Sequence, residues 1–173
     1  MTVSLFETEL GKFDWERMEC GCGESAAHLP GRIRELAGVG EAYGGEAFTT
    51  PLHDHVMTPA DGLLPVSAAF IPIAYAALAG PLSEPARREM LGWILRIVGP
   101  AIDSDDDVST ACVEAARQGL PLLYSEVAQG PSEAGAAYAF ETLLLIEEDL
   151  DRLRAVQAEA RERLPWDLRS EEI

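Results

Sequence analysis

The apolar positions of this chain recur every three or four residues over most of its length, which is the spacing of one helix face. The clearest case follows Ser83, where Ala86, Met90, Ile94 and Ile97 form one stripe. No stretch alternates apolar and polar residues over six positions, so little favours β-strands. The pattern predicts an all-α fold of seven to eight short helices in antiparallel hairpins, joined by brief Gly/Pro turns.

Turn and capping residues give the approximate bounds of these helices. We predict helices near residues 25–38, 41–57, 62–79, 83–99, 107–119, 121–130 and 132–165, and the last of these can also break near 147–151 into two. No linker divides the chain, so we expect one domain over residues 1–173, with peripheral tails at 1–12 and 167–173.

One predicted helix is unusual because the segment 62–83 contains no charged residue. Its prolines and its acidic rather than basic flanks favour a buried central helix over a membrane span. Pro72 lies in its middle, where a missing backbone N–H is expected to kink or split a helix.

Two parts of this pattern resemble a known group of proteins. Trp15 with Ala26-Ala27-His28-Leu29-Pro30 resembles the opening of small HEAT-like helical-repeat proteins of high-GC bacteria, and Ala68-Ala69…Pro72…Leu78 followed by Arg87-Arg88…Leu91…Leu95 resembles one of their repeats. The likeness covers about residues 13–164. It implies a right-handed α-solenoid fragment that binds proteins through a groove, and it carries over no catalytic residue. An irregular helical bundle is the alternative architecture.

Charge narrows the range of partners. The 173 residues include 30 acidic and 13 basic ones, for a formal net charge of −17. Such a field repels phosphate backbones and anionic lipid, which argues against nucleic-acid and membrane-surface binding. Three cysteines do not make a disulfide framework, and the N-terminus lacks a signal-peptide pattern. We therefore expect a cytoplasmic protein with reduced thiols.

Five soft ligands lie in the first third of the chain: Cys20, Cys22, His28, His53 and His55. Zinc takes about four thiolate or imidazole ligands in a tetrahedron. The CxC and HxH spacings fit such a site poorly, and on one helix His53 and His55 would point about 200° apart. We favour cysteines packed in a Gly-rich turn, histidines at the surface and no metal or cofactor. A zinc site is the alternative.

An acidic linker precedes the helix predicted at 107–119; its aspartates are Asp103, Asp105, Asp106 and Asp107. Three of them, with Glu114, match an EF-hand-like count. However, Val108 stands where the sharp turn of a calcium loop needs Gly, so helix capping is the better explanation. We also expect these four aspartates to contact a basic partner.

No motif identifies a reaction, and we lean toward a protein that is not an enzyme. The leading hypothesis is an interaction module whose acidic surface binds a basic protein, as an immunity or inhibitor protein does. A homodimer through the apolar seam 136–153 and mimicry of a nucleic-acid duplex stay open.

The alternative from a different class is a small enzyme or small-molecule binder with an apolar pocket between helices. Phe70 and Tyr75 would form the wall of this pocket. His53, Asp54 and His55 would supply its polar or catalytic groups.

Overall fold

A computed structural model of the chain describes residues 4–40 and 52–173. Within these ranges the secondary structure is helical, apart from turns and two isolated β-bridges. This confirms the all-α prediction. The helices are α1 (Leu5–Leu10), α2 (Leu29–Ala37), α3 (Pro65–Leu78), α4 (Glu84–Ala101), α5 (Asp107–Arg117), α6 (Leu120–Gln129), α7 (Glu133–Ile146), α8 (Leu150–Glu159) and α9 (Trp166–Arg169).

The helix predicted at 41–57 lies mostly outside the described residues. Its described end, 52–57, is a turn and not a helix. The backbone of Asp54 has a φ of 58°, in the left-handed region that a right-handed helix does not use.

The uncharged segment forms α3, and ten of its 14 residues are buried. Helices α1, α4 and α5 pack around it. A kink or a split was predicted at Pro72; the split does not occur, because α3 is one continuous helix. The proline ring is half-buried and lines a surface cleft. Across the described ranges, each helix falls short of the length and apolar character that crossing a membrane needs.

The most extensive helix contact is between α4 and α7, and α7 also packs on α6. Small residues allow the close approach of α4 and α7. A methyl group at Gly92 would lie 3.3 Å from the Tyr138 ring, and one at Gly135 would lie 3.4 Å from Leu91. Helix α4 runs past Gly99 to Ala101, so the predicted stop is two residues early.

The tract predicted at 132–165 contains two helices, α7 and α8, and not one. This confirms the alternative of a break near 147–151. Glu147 explains the break, because its carboxylate accepts hydrogen bonds from the backbone N–H groups of Glu148 and Asp149, each at 2.9 Å. Asp149 then caps α8 by accepting from the backbone N–H of Arg152 at 3.0 Å.

Asp106 is the N-cap of α5, which confirms capping for that aspartate. It accepts hydrogen bonds from the backbone N–H groups of Val108 and Ser109 and from the hydroxyls of Ser104 and Ser109. These bonds, chiefly the one from Ser104, hold the pKa of Asp106 well below its usual range. All four linker aspartates are exposed, and their contact with a partner stays a prediction.

The segments expected as peripheral tails are partly helical, through α1 and α9, and the helical parts pack on the core. Helix α1 packs on α3 and buries Leu10, while Glu7 pairs with Arg34 of α2 at 2.8 Å. Helix α9 contacts α7 and buries Leu168.

A buried ion pair joins α4 to α6. Arg87 donates to the carboxylate of Glu126 and, at 3.1 Å, to the carbonyl of Gly80. Burial raises the pKa of Glu126, although Arg87 opposes this effect. The carboxylate is therefore tolerated inside the protein because the guanidinium accompanies it.

We expect Arg87→Met to lower the free energy of unfolding by about 3–5 kcal/mol, because it leaves Glu126 buried without its partner. Arg87→Met combined with Glu126→Leu should recover most of this loss. A carboxyl group with a raised pKa in the folded state stabilises less as pH rises, so the single variant should lose more near pH 8 than near pH 5. Urea unfolding measures all three proteins, and equal losses for the single and double variants would contradict this account.

Candidate metal centre

Four of the five predicted soft ligands, Cys20, Cys22, His28 and His55, form a cluster in the structure. Its first part is a tight turn that begins at Cys20. The backbone N–H of Gly23 donates to the carbonyl of Cys20 at 2.9 Å, and the N–H of Cys20 donates to the carbonyl of Glu24 at 2.8 Å. Gly23 has a φ of +84°, which glycine adopts without strain. The turn places the Cys22 thiol at the surface, while Cys20 is buried.

His28 follows this turn at a fixed distance because a 3-10 turn from Ala26 to His28 comes between them. Ser25 caps this element: its Oγ accepts from the backbone N–H of Ala27 at 3.3 Å and donates to the carbonyl of Glu16 at 3.0 Å. Helix α2 then begins at Leu29, so the His28 imidazole stands where the chain enters a regular helix.

The turn 52–57 supplies the fourth residue, His55. Its backbone N–H donates to the carbonyl of Leu52 at 3.0 Å. Ser67 of α3 donates its hydroxyl to the carbonyl of Val56 at 2.5 Å, and this bond attaches the turn to the central helix. His55 is therefore positioned by a buried helix and not by contacts with Cys20 and His28 alone.

The two segments meet through a backbone hydrogen bond. The N–H of Gly21 donates to the carbonyl of His55 at 2.8 Å. A methyl group at Gly21 would lie 1.9 Å from the carbonyl oxygen of Met57, a distance that no side chain can occupy. Glycine at this position is thus required by the close approach of the two chains.

Four donor atoms converge as a result. The Cys20 sulfur lies 3.4 Å from Nε2 of His28 and 3.2 Å from Nδ1 of His55. The Cys22 sulfur lies 3.9 Å from Nε2 of His28, and the two imidazole nitrogens are 3.0 Å apart. All four donors lie within 4.8 Å of one another.

These separations, from 3.0 Å to at most 4.8 Å, are close to those of a tetrahedral metal site, which shifts of about 1 Å or less in the side chains would complete. Zinc bonds of about 2.3 Å to sulfur and about 2.0–2.1 Å to nitrogen space the donors of a tetrahedron roughly 3.3–3.8 Å apart. A two-iron cluster with two cysteines on one iron and two histidines on the other would separate the ligand types. Here Cys20 lies beside both imidazoles, so the donors surround a single point.

The surroundings of His55 favour its neutral imidazole. Burial lowers the pKa of His55, and the positive charges of Arg32 and His28 add to this effect. Burial also raises the pKa of Cys20 to about 11, so the metal-free thiol keeps its proton at neutral pH. A metal ion would have to displace that proton, as thiolate sites generally require.

His53 is the one residue of the predicted set that stays outside the cluster. It lies in the same turn as His55, but its Nδ1 is 3.0 Å from the carboxylate of Asp54 and its side chain is half exposed. The objection that two histidines of an HxH pair face opposite ways on a helix does not apply, because this segment is a turn.

The pocket suggested for an enzyme is not assembled as expected. Phe70 is fully buried in the core. Tyr75 donates its hydroxyl to the carbonyl of Ala116 at 2.9 Å and lines a cleft with residues of α1, α5 and α6. The residues that line this cleft include neither His53 nor His55.

Comparison with known proteins adds no assignment, since no family model, curated protein or solved structure matches this chain.

We expect Gly21→Ala to destabilise the fold by about 1–3 kcal/mol, because the added methyl group must displace the backbone at Met57. Gly31→Ala in α2 is the matched control: its methyl group would meet nothing within 4 Å, so this change should be neutral or stabilising. Urea unfolding measures both proteins. Wild-type stability in Gly21→Ala would contradict the close approach.

Proposed function

We propose that this protein binds one zinc ion through Cys20, Cys22, His28 and His55, and that the ion has a structural role. The observation that carries this proposal is the convergence of four soft donors, from two separate segments, within 4.8 Å. Zinc would fasten the segment 20–28 to the turn 52–57.

The number of donors favours a structural over a catalytic metal. Catalytic zinc sites have three protein ligands and leave a fourth position for water or substrate. Here two thiols and two imidazoles fill all four positions of a tetrahedron.

The composition of the site favours zinc over other common metals. Thiolate with imidazole suits soft or borderline ions, whereas calcium and magnesium take oxygen ligands. Zinc also needs no redox partner and holds a tetrahedral arrangement without strain.

The main consequence of zinc binding would be stability. Cys20 and His55 are separated by 35 residues, and a metal bound to both closes this loop in the folded state only. A ligand that binds only the folded state raises the free energy of unfolding by roughly 3 kcal/mol when its free concentration is about a hundred times its Kd.

The three cysteines are free thiols, which a reducing compartment preserves, so we also propose that the protein works in the cytoplasm. A structural ion leaves most of the surface free. The interaction module that the charge predicts, with an immunity or inhibitor role as one form, is thus a compatible second proposal.

The zinc proposal is tested by elemental analysis of the purified protein. We expect about one zinc per chain and no stoichiometric iron. Chelation with EDTA should lower the midpoint of thermal unfolding by roughly 10 °C, and added zinc should restore it. Cobalt in place of zinc should give the intense visible absorption of a tetrahedral thiolate site.

Two pairs of variants distinguish the proposed zinc ligands from cysteine and histidine residues outside the cluster. Cys22→Ser and His55→Ala should lose the metal, while Cys112→Ala and His53→Ala, outside the cluster, should keep it. Cys22 is exposed, so its substitution removes a ligand without opening the core. A wild-type protein that is purified from zinc-supplemented cells without metal, or whose thermal midpoint ignores EDTA, would overturn the proposal.

A further inference from the structure

An apolar groove lies far along the chain from the Cys/His cluster, between α4, α7, the start of α8 and the segment 171–173. Its volume is about 630 Å³. The apolar lining residues are Leu95, Leu144, Leu145, Leu150, Leu153 and Ile173. Leu150 is the most open of them, with 48% of its surface exposed. A contiguous apolar patch of this kind is typical of a binding surface, whereas a single exposed leucine is not.

One wall of the groove is held in place by side chains of α8. The Gln157 amide donates to the carbonyls of Leu168 and Glu171 at 2.8 and 3.0 Å. The Arg154 guanidinium donates to the carbonyl of Ile173 at 2.6 and 2.8 Å. The groove is thus already formed in the free chain, and a partner need not order this wall.

Every ionisable residue that lines the groove is acidic: Glu141, Glu171 and Glu172. Their carboxylates make no hydrogen bond or ion pair with another described residue. By contrast, the carboxylates of Glu7, Glu126 and Glu147 each have a partner. Burial and the negative charge of Asp167 raise the pKa of Glu141. A cation nearby would therefore stabilise the ionised form of this carboxyl group.

We propose that this groove docks a basic amphipathic helix of another protein. Apolar side chains at positions i, i+3 or i+4 and i+7 of such a helix would pack on Leu144, Leu145 and Leu150. Lysine or arginine on its flanks would face the three carboxylates. Desolvated apolar contacts would supply most of the affinity, and the charges would set orientation and the rate of encounter.

A second copy of this chain is a poorer occupant. Pairing through this face would bring the same carboxylates of both copies together, on chains that each carry a net charge of −17. Arg154, the cation next to the wall, already binds the Ile173 carbonyl and Asp151.

The test uses the protein as purified and a fluorescent synthetic helix of about 14 residues that carries leucine at the contact positions and lysine elsewhere. A second peptide with glutamate in place of lysine is the matched control. We expect the basic peptide to bind with a Kd of about 10 μM and the acidic one to show no binding. Chemical-shift changes in ¹⁵N-labelled protein should cluster on residues 141–153 and 168–173.

Variants separate the groove from general attraction to an acidic protein. Leu150→Ser should weaken binding about tenfold, and Glu171→Gln with Glu172→Gln should weaken it severalfold. Asp103→Asn with Asp105→Asn removes the same charge from the acidic linker and should leave binding nearly unchanged. Four results would overturn the proposal: no binding of the basic peptide; a linker variant that weakens binding as much as the groove variant; no effect of Leu150→Ser; or self-association that depends on Leu150.

Discussion

The absence of charge along α3 is the constraint on which the rest of the fold depends, because such a helix must be covered on nearly every side. Helices α1, α4 and α5 provide this cover. The helix has few polar groups to satisfy. The buried hydroxyl of Ser67 meets its need by accepting from the backbone N–H of Leu64 and donating to the carbonyl of Val56. The same bond that satisfies a buried group also fixes the turn that carries His55.

From this turn the arrangement extends to the cysteines through main-chain contacts. The carbonyl of His55 accepts a hydrogen bond from the N–H of Gly21. Because Gly21 has no side chain, its segment can lie directly against the turn 52–57. Both features are contacts of the main chain and involve none of the four donor atoms. The four donors are therefore brought near one another by the fold. An ion would bind a largely preformed site, which favours high affinity because little ordering remains to be done.

Local signals predicted the helices well and the cluster poorly. Caps such as Ser83, Asp106 and Ser132 act within four residues, so the sequence reveals them directly. The cluster depends on contacts between residues 35 positions apart, which no local pattern contains. One of the two objections to zinc, the opposite directions of His53 and His55, rested on treating 52–57 as helix, and it does not apply because Asp54 turns the chain there. A signal was available in the Gly-rich CGCG turn, since glycines on both sides of Cys22 favour a tight loop over a packed core element.

The acidic residues that make up the net charge differ in whether their carboxylates are bonded within the fold. Asp106 and Asp149 cap helices, and Glu126 balances a buried arginine; these acidic groups serve the fold itself. Their charge attracts a partner only weakly, because hydrogen bonds already satisfy them. The carboxylates that lack such bonds beside an apolar surface are different, since a cation there gains an interaction that the free protein does not make. The total of −17 therefore matters less for recognition than the few unsatisfied charges that stand next to exposed leucine side chains.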